Sequence, residues 1–247
     1  MSRDMGRAGA GVPAEAGAAG ERTWLAIDTS GPRGSVAVGG PSRIAAETTL
    51  AAAQEHASLL VPAIDEALER AGVTREALAG LVVGEGPGSF TGVRVGAATA
   101  KGICHALGLP LWAVSSLAAA ALAHPGTGVR YALFDARSGR VYGACYGVGS
   151  ARLEELVPPH GGTLRDVLDA DPPAGAVFVG EGAERHRAAL EGAGFPVAPG
   201  AGREALARGL LRWLALCPDA APVARPAAWE PAYVRPWGAG AERAWAR

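Results

Sequence analysis

One plan occurs twice in this chain, and it restricts the fold more than any other feature. "TWLAIDTSGPRGSVAVG" begins at Thr23, and "VRYALFDARSGRVYGACYG" begins at Val129. Each reads as an apolar strand, an aspartate, a turn, a glycine and a second apolar strand. Asp28 and Asp135 fall at equivalent points, and Gly34 and Gly139 follow them in the turns. Such a layout implies a duplicated structural unit, hence an α/β chain of two lobes. Its 247 residues suffice for two such cores, and 49% hydrophobic against 19% charged residues is a globular composition. The formal net charge of -1 provides no overall basic field for gripping a nucleic-acid backbone unaided.

Around the first copy, "SRIAAETTL" reads as a third strand, and the stretch from Gln54 to Ala71 as a helix. Leu60, Ile64 and Leu68 share one face of that helix at four-residue spacing, with Leu59 beside them. Pro62 either removes a hydrogen bond there or marks the true first turn, and Gly72 is placed to cap the end. "LAGLVVG" is a buried strand, a helix follows from Phe90 to Leu107 with Ser89 as its N-cap, then "PLWAVSS" as a strand and a helix over Ser116 to Ala123. "HPGTG", from His124 to Gly128, is the linker. After the second copy come a helix near Thr163 to Ala170, the strand "AVFVG", a helix near Ala183 to Ala193 and a last one around Arg203 to Leu216. The expected division is a disordered extension over 1–21, a first lobe over 22–124, a second over 125–236 and a tail over 237–247.

"VVGEGPGSFTGVRVGAATAKG", from Val82 to Gly102, accepts glycine inside a helix, at about 1 kcal/mol each relative to alanine. Two explanations compete. Gly84, Gly86 and Gly88 could aim backbone amides at an anion near the helix N-terminus. Alternatively, Gly92, Gly96, Ala100 and Cys104, at four-residue steps, form a small-residue stripe along which another helix approaches closely. The stripe favours packing. The two aspartate turns carry a similar pair of readings: a phosphate- and metal-water-holding pair, as in actin-like ATPases, or aspartates that cap their own turns.

Other chemistry finds little support. Gly92 is followed by Val93 and Arg94, not the lysine and hydroxyl of a phosphate loop, and no G-x-G-x-x-G opens the helix. The histidines His56, His105, His124, His160 and His186 include no i, i+4 pair, so no metal site is expected. No G-x-S-x-G occurs. Cys104, Cys145 and Cys217 are scattered, which fits a reducing cytoplasm, and no run of eighteen apolar residues predicts a membrane span.

"LAIDTS", "GEGPGSFTGVRVGAATAKG", "PLWAVSSLAAAALA", "DARSGRVYGACY" and "EPAYVRP" together resemble the TsaB family, the bacterial dimerisation subunits of the tRNA threonylcarbamoyladenosine machinery. The motifs run in order from about residue 23 to 236. The resemblance implies an actin-like (ASKHA, ribonuclease H-like) fold of two duplicated lobes. It implies a non-catalytic scaffold that binds the related catalytic subunit TsaD, which transfers threonylcarbamoyl to an anticodon-adjacent adenosine of tRNA. A small ATPase, TsaE, joins that pair, a homodimer is an alternative assembly, and tRNA is reached only through the complex. In the catalytic relative two helical histidines hold a metal; here "AQEHASLL" has His56 alone, so that site is not carried over. No intrinsic cofactor is implied, only ATP or ADP at the complex interface. The expected partner interface is His56, Leu59, Leu60, Ile64 and Leu68 with Gly92, Val93, Gly96 and Ala100; Asp28, Gly34, Asp135 and Gly139 are expected as phosphate-loop remnants. Rival functions are an active actin-fold ATPase or kinase, and a metal-dependent glycoprotease.

Overall fold

The computed structural model describes residues 22–50 and 56–232. The expectations for 1–21, for 237–247, for Gln54 and for the side chain of His56 lie outside the described residues. The first lobe is built on strands β1 (Thr23–Asp28), β2 (Gly34–Gly39), β3 (Ile44–Leu50), β4 (Leu78–Gly84) and β5 (Leu111–Val114), ordered β3-β2-β1-β4-β5. β1 to β3 form an antiparallel meander; β4 and β5 join in parallel on the other side of β1. The second lobe repeats the plan with β6 (Gly128–Asp135), β7 (Arg140–Val148), β8 (Leu153–Thr163) and β9 (Val177–Val179), ordered β8-β7-β6-β9 with the same directions. A fifth strand shrinks there to one parallel bridge, Phe178 to Val197. Two sheets with this shared order make the fold α/β and actin-like, and the duplication read from the sequence holds in three dimensions.

Helix α1 (His56–Ala71) links β3 to β4, and α2 (Phe90–Leu107) links β4 to β5. Both cover one face of the first sheet. Side chains alternate across a strand, so Leu25 and Ile27 of β1 meet Leu60, Ile64, Leu68, Ala100 and Cys104 on that side. Trp24 and Ala26 point the other way, into a core that the lobes share. That core is filled by α3 (Ser116–Ala123), every residue of which is buried, and by α7 (Leu206–Leu216), against Ala132, Phe134 and Tyr146 of the second sheet. Helices α4 (Leu164–Asp169), α5 (Glu181–Arg185) and α6 (Arg187–Gly192) close the far side of the second sheet over Leu133, Val141 and Phe178. α1 runs through Pro62 without a break and ends at Gly72, whose φ of +64° lets Val73 N–H reach Leu68 O at 3.0 Å.

The structure corrects two placements. Gly34 is the first residue of β2, paired with Leu50, and not part of the turn; Gly139 does lie in its turn, at φ +72°. α7, expected in the second lobe, packs on the first: Ala207 N–H donates to Ser35 Oγ at 2.9 Å, and Arg208 holds Glu47 of β3 through two hydrogen bonds. The chain beyond it stays there, with Val223 N–H on Leu111 O at 2.7 Å and the Trp112 indole donating to Ala220 O at 2.9 Å. An apolar face on α7 needs a sheet to cover, and the open side of the first sheet provides it.

Candidate functional site

Gly92 and Gly96 of α2 serve the turn after β1. Ser89 caps the helix by accepting from Gly92 N–H at 3.2 Å. A Cβ on Gly92 would lie 2.0 Å from Thr29 O, and one on Gly96 would lie 2.4 Å from Thr29 Oγ1. Thr29 Oγ1 donates to Gly92 O at 2.7 Å, and Ser89 N–H donates to Ser30 O at 2.7 Å. The close approach is therefore made by the lobe's own first turn. This corrects the expected interface: Gly92, Val93, Gly96 and Ala100 are buried against that turn and the sheet, and Leu60, Ile64 and Leu68 are buried in the same core. A stripe at four-residue spacing marks the face a helix buries first, and here the sheet beneath takes it.

The exposed apolar residues of α1 flank the buried Leu60 on its two sides: Val61, 53% exposed, on the side of α2, and Leu59, 39% exposed, on the other. Across from Val61, Ile103, Ala106 and Leu107 of α2 complete a shallow apolar groove of about 200 Å³, with Ile64 and Leu68 on its floor. Asp65 and Arg75, paired at 2.6 Å, stand on its rim. Apolar side chains left this open between two long helices are the kind of feature that marks an interaction surface.

The two aspartate turns do face one cleft, of about 490 Å³, lined by Ser30, Gly31 and Phe90 of one lobe and Asp135, Arg137 and Glu181 of the other. Asp28, however, is fully buried behind it. Its Oδ1 accepts from Ser30 N–H and Ser30 Oγ at 2.9 and 2.7 Å, and its Oδ2 accepts from Ser116 Oγ at 2.7 Å. A Cβ on Gly84 would lie 1.9 Å from that Oδ2, so the carboxylate is pressed against the end of β4. Asp135 accepts from Arg137 N–H at 3.0 Å and pairs with Arg185 at 2.5 Å. Both aspartates thus organise protein, the first between β1, its turn and α3, the second between its turn and α5.

Sequence reasoning missed Glu181. Its Oε1 accepts from Asp135 N–H at 2.9 Å, and burial pushes its carboxyl up to about 7, with the nearby Asp135 charge acting in the same direction. A signal was available: "VVGEG" at 82–86 and "FVGEG" at 178–182 repeat at the ends of the equivalent strands β4 and β9. The other member, Glu85, is also raised by burial, with the Trp229 indole opposing the shift. Thr29, which the glycines of α2 accommodate, was missed too, because nothing in its spacing announces the contact.

Two duplicated sheets with paired turns facing a cleft define an actin-like protein of two lobes. The family profile described as "TsaD: tRNA N6-adenosine threonylcarbamoyltransferase" matches residues 49–201. The tRNA threonylcarbamoyladenosine biosynthesis protein TsaB of Bacillus subtilis is 34% identical over 174 residues, covering 68% of this chain and 75% of that protein. TsaB of Haemophilus influenzae is 39% identical over 127 residues, 49% of this chain and 52% of that one. Among solved structures, YeaZ from Pseudomonas aeruginosa superposes with a TM-score of 0.70 at 28% identity, covering 85% of this chain and 99% of that chain. The chain belongs to the family that this profile describes and, within it, to the TsaB family.

Proposed function

We propose that this chain is a non-catalytic scaffold in the biosynthesis of threonylcarbamoyladenosine in tRNA, binding the TsaD-type catalytic subunit through the outward face of α1 and α2. The observation that supports this most is Val61, 53% exposed at the apolar groove with Ile103 and Ala106. An interface of this kind stabilises one conformation of its partner over another by binding it more tightly. The reading as an actin-fold ATPase or kinase lacks support in the cleft, where Asp28 is buried and hydrogen-bonded within the protein and Asp135 is paired with Arg185. A second copy of this chain and the small ATPase TsaE are rival occupants of the same face.

Co-purification with the organism's TsaD tests the proposal. Wild type is expected to retain it, Val61→Arg to lose it while staying folded, and the isolated chain to show no ATP turnover. Retention of TsaD by Val61→Arg, or ATP turnover by the isolated chain, contradicts the reading. Leu60→Arg or Ile64→Arg would not serve, since both place a charge in the lobe's own core.

A further inference from the structure

A third groove, of about 460 Å³, lies where the β2–β3 turn, the linker between the lobes and α7 meet. Its notable side chains are arginines. Arg208 and Arg212 are one helical turn apart on α7, and Arg43, from the turn at 40–43, lines the same groove. Arg212 donates to the carbonyls of Leu122, His124 and Gly126 at 3.3, 2.6 and 2.6 Å, and so ties down the end of α3 and the linker. Arg130 donates to the carbonyls of Pro125 and Thr127 of the same linker at 3.3 and 3.4 Å. Burial lowers the Arg212 pKa, and the neighbouring Arg130 charge lowers it further.

The counter-charges are few. Glu47 neutralises Arg208 at 2.9 Å, and Glu204 pairs with His124 at 2.6 Å. Among the described residues no carboxylate forms an ion pair with Arg43, Arg130 or Arg212. Arg43 and Arg212 thus line the groove without a carboxylate, and Arg130 adds a third such charge beside Arg212 at the linker, in a chain whose formal net charge is -1. Arg130 and Arg212 repel one another and are held by carbonyls, Arg43 lines the groove with no carboxylate partner among the described residues, and their planar donors match the oxygens of an external phosphate. The groove also has apolar lining, including Ile44 at 38% exposure and Leu211, which suits sugar and base surface lying beside a charged backbone.

We propose that this groove receives the phosphodiester backbone of tRNA, so that the scaffold positions the RNA for the catalytic subunit. The proposal rests on the reading of the chain as a tRNA-modification subunit. Contacts of this kind fix position and register but do not read sequence. They also leave the fold alone: Arg43 is an exposed turn residue, so Arg43→Ala keeps the structure intact.

The test is fluorescence anisotropy with labelled tRNA over a series of salt concentrations, using the full chain alone and mixed with TsaD. The expected result is several-fold weaker binding for Arg43→Ala, and weaker still for Arg43→Ala with Arg130→Ala. The log–log salt dependence should become shallower by about one for each lost phosphate contact. Unchanged affinity and slope in the double variant overturn the proposal. So does a variant that loses poly-glutamate binding but keeps tRNA binding, which would assign the groove to an acidic protein. Capture of TsaD by the same variants is read in parallel and should be normal. If wild type fails to capture TsaD, the functional reading falls, and the groove is then decided by the titration of the isolated chain alone.

Discussion

The two lobes share four strands in one order and differ in what covers them. In the first, α1 and α2 have 16 and 18 residues; in the second, α4, α5 and α6 have six, five and six. A helix of sixteen residues is about 24 Å long, against about 9 Å for one of six. The first lobe therefore has an outer helix surface with exposed Leu59 and Val61, while the short helices of the second supply Val167, Ala183 and Leu190 to the core. The paired glutamates diverge similarly: Glu85 lies by Trp229, and Glu181 opens on the cleft. A duplicated fold has thus been elaborated on one side for contact and reduced on the other.

The strongest way to break that contrast is to cut into each core. Leu60→Ala and Leu190→Ala should each cost about 2–5 kcal/mol, measured by urea unfolding. Because α3 and α7 join both sheets in one core, each variant should unfold in a single transition; two separate transitions would show the lobes to be independent. Gly92→Ala should cost about 1–3 kcal/mol, since Thr29 O must move. Gly139→Ala, whose Cβ would meet nothing within 4 Å, should cost only the strain of its positive φ.

Acid and base sharpen the comparison further. Glu181 has a raised pKa in the folded state, so the native protein binds more protons than the unfolded chain between about 4.5 and 7, and its contribution falls as pH rises through that window. His160, in the second lobe's core beside Tyr131, is lowered by burial. The unfolded chain then takes the proton first, and stability is lost as pH falls below about 6.5. Melting temperatures across pH 4.5–8 should show Glu181→Gln removing the first trend and His160→Gln the second. The smallest effect is expected for Val61→Arg, within about 0.5 kcal/mol of wild type, as for surface substitutions generally.

The duplication, the strand order's beginning in both halves and the caps Ser89 and Gly72 were legible because period-two runs, aspartate turns and capping residues are local signals. The long-range contacts were not. Spacing identified Leu60, Ile64 and Leu68 as one face, and Gly92, Gly96 and Ala100 as one stripe, but spacing does not say whether sheet, helix or partner lies opposite. α7 was assigned to the wrong lobe because its position in the chain follows the second sheet while its packing returns to the first. The arginine groove is assembled from three distant segments and has no signature in any one of them.

Matched substitutions in the two lobes test the central claim most directly. Val61→Arg alters the outer helix face of the first, and Leu156→Arg alters the 38%-exposed apolar residue on the edge strand β8 of the second. Sedimentation of each variant with the organism's TsaD should show the complex abolished by Val61→Arg and unchanged by Leu156→Arg. A complex that survives Val61→Arg, or is lost with Leu156→Arg instead, contradicts the account.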